Sequence, residues 1–422
     1  MIGEALSTAH SAEGPSRFAV RASHSLDVVS GELLDDTVVV IDGRRIVSVE
    51  HGAPPRGVRV IDLGDRVVMP GLIDAHTHIF LHENTSHADF RYQIMEEYPS
   101  HRVARAVRAM SIALNHGFTT MRDLETEGAG YDDVGLRDAV QEGIISGPRL
   151  QVAGPALSST GSYPVLRFRP DWQFPSGVQV VDGADECRRA VRQQISYGTD
   201  WVKVYANAGA GSVLTDDGYI ESAPNWTKEE FAAIVDEAHA RGRRVAAHAT
   251  SDTGVAMALS AGVDSIEHGY SIRPDRAREM VEKGIYLCPT LMPTNHVAEH
   301  RAQERGPIWQ QAIEVQLRSF TNCLEAGVKI AFGTDAGCFD WTGRNQAEEF
   351  GYMVRAGMEP LQAIRSATLV AADLLGLGEV AGRLEEGLAA DLIAVPTDPR
   401  RNVGVLEKVE FVMADGQIVK AI

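Results

Sequence analysis

The chain has 422 residues, 44% of them hydrophobic and 23% charged, which suits a globular protein with an ample core and room for one large domain plus a smaller one. Its 40 Lys and Arg against 58 Asp and Glu leave a net charge of −18, a surface that repels nucleic acid and anionic membranes. The four cysteines, Cys187, Cys288, Cys323 and Cys338, are widely spaced without a C-x-x-C pair and read as small buried hydrophobes in a reducing compartment.

Residues 1–17 are polar and predicted to be a mobile segment, with neither the basic nor the apolar region of a secretory signal. No apolar run reaches the roughly 18 residues of a membrane span, so the cytoplasm is the expected location. Short strands follow in "FAVRAS", "TVVVID", "RIVSVE" and "RVVMP", with a hairpin turn at Asp42-Gly43. The C-terminus repeats this style in "DLIAVP", "VEFVMAD" and "QIVKAI", with a turn at Asp415-Gly416. The two ends, residues 18–70 and 382–422, are therefore predicted to build one small β-sandwich domain.

Between them, residues 71–381 alternate. Strand-like runs lie at 71–78, 118–123, 149–154, 201–206, 244–249, 265–270, 285–290 and 329–335. Helical patterns separate them, such as "KEEFAAIVDEAHARG" at 228–242 and "LQAIRSATLVAADLLGL" from Leu361. Eight strands with helical spacers predict an α/β fold, a (β/α)8 TIM-like barrel carrying the catalytic site.

The first of these strands ends in "GLIDAHTHIF", where His76 and His78, two residues apart, project to the same side. Lys203, His248, His268 and Asp335 fall at or near the C-terminal ends of later strands, the rim where barrels of this class place their active sites. Any one of these histidines reads more simply as a satisfied strand-end residue, and Asp335 as a helix cap. Their convergence on one rim favours a metal site. Lys203 cannot ligate as an ammonium, but its apolar surroundings, Trp201-Val202-Lys203-Val204-Tyr205, favour the neutral amine.

Tyr205 and Tyr270 each lie two residues beyond a member of this set and share its face, as substrate contacts or as packing. His296, after the seventh strand, is a candidate substrate contact. His116 and His239 read as structural, and Arg122 with Asp123 reads as architecture.

The stretches "PGLIDAHTH", "WVKVYANAG", "VAAHA", "SIEHG", "FGTDAG" and "GRLEEGLAADLIAV" resemble, in order and spacing, the marks of the amidohydrolase superfamily, over nearly the whole chain. More narrowly, they resemble its branch of Xaa-Pro dipeptidase (prolidase-like), imidazolonepropionase-related and ochratoxin-hydrolysing enzymes. The resemblance implies a binuclear centre of two divalent ions, read as Zn2+. His76, His78 and Asp335 would hold the more buried ion, and His248 and His268 the more exposed one. A carbamate on Lys203, made by capture of CO2, and a hydroxide would bridge them, leaving residual positive charge to polarise a carbonyl. It further implies hydroxide attack on an amide-type C–N bond of a dipeptide, N-acyl amino acid or carbamate, with Asp335 and Lys203 as catalytic residues and Asp335 shuttling the proton. The expected partner is a small-molecule amide, and the expected assembly a homo-oligomer.

The sequence departs from this branch after the third strand. A Thr-Gly-Gly-His stretch is replaced by Thr160-Gly161-Ser162-Tyr163, followed by "PVLRFRPDWQFPSG", in which Tyr163, Arg167 and Arg169 are candidates to meet the substrate. A solvated loop packed by its own rings is an equal reading. Alternatives to amide hydrolysis are deamination, cyclic-amide or lactone hydrolysis, and a non-catalytic assembly protein. Lys203 at the bridging position argues against the deaminase, and the full ligand set against the assembly protein.

Overall fold

Alternation along the terminal strands builds a sheet with both faces covered. In the strand Leu33–Asp42, Val39 and Ile41 pack with Val20, Ala22, Phe411 and Met413 on one side, while Val38 and Val40 pack with Ala19 on the other. The computed structural model describes residues 17–83, 87–162, 171, 176–207, 211–305 and 308–422. In it, both termini enter one eight-stranded sheet. Its order is Gln417–Lys420, Phe411–Ala414, Leu392–Val395, Val67–Pro70, Arg17–Leu26, Leu33–Asp42 and Arg45–His51, with Arg59–Asp62 also paired to Arg17–Leu26. The antiparallel pairing of Val67–Pro70 with Leu392–Val395 joins the two ends of the chain. Arg59–Asp62 was not anticipated, because its residues are largely exposed and carry no apolar alternation.

The middle of the chain forms parallel strands separated by helices. Leu72–Thr77, Phe118–Asp123 and Arg149–Val152 pair in that order. Leu157–Ser158, Trp201–Tyr205, Arg244–Ala249, Ser265–His268 and Tyr286–Cys288 form a second parallel series. Asp200 N donates to Val152 O across the gap between the two series, at 2.8 Å. Leu72–Thr77, Phe118–Asp123 and Trp201–Tyr205 are buried at every position, the pattern of strands covered on both faces.

The segment 329–335, predicted as the eighth strand, runs between Tyr286–Cys288 and Leu72–Thr77 without becoming a regular strand. It is tied by the parallel bridges Leu287↔Ile330 and Thr77↔Ala336 and by Ala75 N to Phe332 O at 2.9 Å. The ladder breaks because Thr334 N and Asp335 N both turn to His76 O, at 3.3 and 2.7 Å.

Helix ends follow local chemistry. Lys228–Ala240 starts at a capping box between Thr227 and Glu230. The helical pattern from Leu361 passes through a π turn at Ser366–Val370 into Ala371–Leu375, which packs against Ile73, Trp201, Ala246 and Ala331. This helix also accepts from Gln151 Nε2 at Leu375 O, at 2.9 Å, and so covers the end where the strands begin. All four cysteines are buried thiols outside any disulfide. Among the described residues, no helix is long and apolar enough to cross a membrane.

Asp74 ties the first parallel strand to the segment that carries Asp335. Its Oδ1 accepts from His76 N and Thr334 N, both at 3.1 Å, and its Oδ2 from Thr334 Oγ1 and Gln346 Nε2, both at 2.6 Å. Burial pushes its carboxyl up to about 6 although all four bonds favour the anion. Asp74→Ala leaves several buried donors unpaired, and we expect a stability loss of about 3 kcal/mol in urea unfolding. A loss below about 1 kcal/mol would show that the clamp is dispensable.

Candidate metal centre

Strand alternation sets which side chains reach the rim, and local breaks in it complete the set. Trp201, Lys203 and Tyr205 share one face of their strand, and Ala246 and His248 share one face of the next. On Ser265–His268, Ser265 and Glu267 already share a face, so His268 would point away. Its φ of 68° turns it back. Thr290 at φ 47° and Asp335 at φ 53° make comparable turns. Leu72–Thr77 also shifts register against Phe118–Asp123 between Asp74 and Thr77, at the position of His76. Left-handed backbone at residues other than glycine costs about 1–3 kcal/mol each, and such strain clusters at functional sites.

The result is a chain of imidazoles. Ring centroids are 5.3 Å apart for His76 and His78, 4.9 Å for His76 and His268, and 4.7 Å for His268 and His248. Asp335 Oδ1 lies 3.1 Å from His78 Nε2 and 3.5 Å from His76 Nε2. Lys203 is 1% exposed, with Nζ 6.0 Å from the Tyr205 ring centre, and that ring lies 4.9 Å from His248. The six side chains expected at the metals are thus gathered at one end of the parallel strands.

Hydrogen bonds orient the rings. His76 Nδ1 is 2.7 Å from Glu267 Oε2, His78 Nδ1 is 3.1 Å from the Glu125 carbonyl, and His268 Nδ1 is 2.8 Å from Thr290 Oγ1. A carboxylate and a carbonyl only accept, so His76 and His78 carry a proton on Nδ1 and turn Nε2 toward the focus. His76 Nε2 is buried there without a hydrogen bond. An unsatisfied imidazole nitrogen beside a second imidazole and a carboxylate fits a divalent metal, and His76, His78 and Asp335 form a group able to hold one.

The charge states suit that use. Burial alone would raise Asp335, but the hydrogen bond from His78, whose own protonation Asp335 favours in turn, holds it well below the usual carboxylate range. Burial, with the Lys203 charge, drives His76 down to about 4 against the pull of Glu267. Burial drives His268 well below its ordinary value, so both rings are neutral donors.

The remaining expected contacts are less uniform. The Tyr205 hydroxyl donates to Glu125, which burial pushes up to about 8. The Tyr270 hydroxyl accepts from Thr294 Oγ1 at 2.9 Å, and its ring centre is 6.0 Å from that of His268. His296 is half-buried on the helix Leu291–Arg305, 3.4 Å from Arg344 Nη2. Tyr163, Arg167 and Arg169 lie outside the described residues. His239 pairs with Asp264 at 2.9 Å and His116 is a helix cap, the structural roles expected of them.

Arg122, read from sequence as architecture, is buried and donates to Glu267 at 3.0 Å, and Glu267 in turn meets His76. Glu267 and Thr290 were missed altogether, as was Cys338, whose thiol donates to Asp335 Oδ2 at 3.1 Å. For Glu267 a signal existed, since "SIE" places a carboxylate on the same face as Ser265, one residue before a candidate ligand.

Parallel strands interleaved with helices, with imidazoles and a carboxylate gathered at one end, define a hydrolase scaffold of the TIM-barrel type able to hold a divalent metal. The chain belongs to the amidohydrolase family, which it matches over residues 67–421. It is 32% identical to ochratoxinase of Aspergillus niger over 420 residues, covering 92% of this chain and 84% of that protein. A solved Xaa-Pro dipeptidase with bound methionine in the active site is 33% identical at a TM-score of 0.84, covering 96% of this chain and 99% of that one. A prolidase complexed with N-methylphosphonate-L-proline is 31% identical, also at 0.84, covering 96% and 100%.

The centre leaves no room for a methyl group at Gly333. A Cβ there would lie 2.2 Å from Cys288 Sγ and 2.8 Å from His76 Cβ. Gly333→Ala is expected to displace His76, lower stability by about 1–3 kcal/mol and reduce bound metal, read by thermal unfolding and elemental analysis. Unchanged metal content would show that His76 does not depend on this contact.

Proposed function

We propose that the protein is a metal-dependent hydrolase cleaving the C–N bond of a small amide, an N-acyl amino acid or dipeptide in the first instance. Its scaffold would be a closed (β/α)8 barrel over residues 71–381, beside a β-sandwich built from residues 18–70 and 382–422. The observation that carries the reading is the buried, unpartnered Nε2 of His76 facing His78 and Asp335. In this reading His76, His78 and Asp335 would hold one divalent ion and His248 and His268 a second. Lys203, buried in an apolar strand, would add CO2 at its amine with loss of a proton and supply a carbamate oxygen ligand. Zn2+ suits the nitrogen-rich set. Such ions, when bound, polarise a substrate carbonyl and acidify water.

The chain's own groups do the rest. Asp335, kept ionised, takes the proton of the attacking water and returns it to the leaving nitrogen. Cys338 steadies its Oδ2, leaving Oδ1 toward the imidazoles. Tyr205 and Tyr270, anchored through Glu125 and Thr294, flank the centre as walls for substrate. His296 and Tyr163 would contact substrate, and Arg167 or Arg169 would meet a carboxylate. The names of the relatives, ochratoxinase and Xaa-Pro dipeptidase, support an amide of an amino acid as the first substrate to try.

Zinc-reconstituted protein should hold close to two ions per chain and turn over members of an N-acyl amino acid and Xaa-Pro dipeptide series. At most one ion, or no turnover of any amide, refutes the binuclear reading or the activity respectively. Asp335→Asn keeps a neutral oxygen ligand, so metal should fall modestly while kcat drops by about 10²–10⁴-fold, as for a lost general base. Lys203→Ala should lose most metal and activity, with partial recovery on adding short carboxylic acids. Full activity in either variant overturns the role given to that residue.

A further inference from the structure

Directly beneath the proposed metal ligands lies a charged pair that hydrolysis does not use. Arg122, Glu267 and His76 are each 0% exposed. Arg122 donates from Nε to Ala75 O at 2.6 Å, from Nη1 to Ser265 Oγ at 3.3 Å and from Nη2 to Glu267 Oε1 at 3.0 Å. Its guanidinium also lies 4.3 Å from the centre of the Trp201 ring. The Ser265 hydroxyl donates to Glu267 Oε1 as well, and Glu267 Oε2 takes the His76 Nδ1 proton at 2.7 Å. Cys288 completes a second cluster with His76 and Glu267 in which ligand atoms lie close enough for a metal. That use is ruled out by occupancy: both Glu267 oxygens and His76 Nδ1 are already engaged.

The imidazoles differ in what stands behind them. His78 leans on a neutral carbonyl and His268 on a neutral hydroxyl, while His76 leans on a carboxylate. A carboxylate behind Nδ1–H draws that proton, fixes the tautomer and raises the donor strength of Nε2. We propose that Glu267, locked by Arg122 and Ser265, is a positioning residue that makes His76 a stronger nitrogen donor than His78 or His268. Glu267 contacts neither substrate nor metal and acts through the ring. The inference rests on the metal reading above.

The experiment uses full-length protein and two readouts. Nitrogen-15 NMR of histidine in zinc-free protein reports the His76 tautomer, and chelator competition reports zinc affinity. Wild type is expected to show His76 protonated on Nδ1. In Glu267→Gln the amide can donate instead, so the Nε2–H form should appear and zinc affinity should fall by about 10–100-fold. Thr290→Val, which removes only the neutral partner of His268, should cost less. Because Glu267→Gln leaves Arg122 buried without its counter-charge, the double variant Arg122→Met with Glu267→Gln removes both charges and should show the same loss in a folded chain. If wild type binds no zinc, the metal reading fails, and a His76 tautomer unchanged by Glu267→Gln or the double variant then overturns the positioning role separately. If wild type binds zinc and these variants bind it within twofold with His76 still protonated on Nδ1, or if Thr290→Val loses as much, the inference is overturned.

Discussion

A β-strand points successive side chains to opposite faces, and that period of two is the constraint around which this centre is built. Lys203 and His248 obey it and reach the rim from strands whose other inward residues, Trp201 and Ala246, pack the interior. The rest of the cluster needs exceptions. His268 follows the inward Glu267, and only its left-handed backbone lets two adjacent residues serve the same interior. Asp335 turns similarly after Thr334, and the strand of His76 shifts register between Asp74 and Thr77.

These exceptions persist because neighbouring contacts hold them in place. Asp74 grips Thr334 through both its amide and its hydroxyl, so the turn leading to Asp335 is fixed from the first parallel strand. Gly337, at φ 115°, sits where a Cβ would lie 2.5 Å from His78 O, and this close approach brings the two ligand segments together. Strain of a few kcal/mol is small beside an apolar interior reaching from Ile73 and Trp201 to the covering helix Ala371–Leu375.

What could be read in the sequence follows from the same logic. His76, His78, Lys203 and His248 lie on strands whose apolar runs mark them, so their placement at strand ends was legible. The segment bearing Asp335 read as a strand because "KIAF" is apolar, but the two amides that share His76 O end its ladder, and no local pattern encodes a contact more than 250 residues away. Arg122 and Glu267 are 145 residues apart, and nothing in "FTTMRD" or "SIEHG" states that they meet. The strand Arg59–Asp62 escaped for another reason, since an exposed strand paired with Arg17–Leu26 needs no apolar alternation.

The buried Arg122–Glu267 pair poses a sharper problem than any single ligand. Taking two charges out of water costs several kcal/mol per ion, and apolar residues of similar volume in their place are often as stable or more so. Stability therefore gives little reason for an ion pair beneath a centre otherwise packed with Ile73, Ala75, Ala246 and Cys288. Its geometry gives one: every hydrogen-bonding nitrogen of the guanidinium is committed to Ala75, Ser265 or Glu267, and the carboxylate's second oxygen meets His76. A charge held this rigidly fixes a proton on one ring nitrogen and frees the other, which an apolar pair of the same shape cannot do.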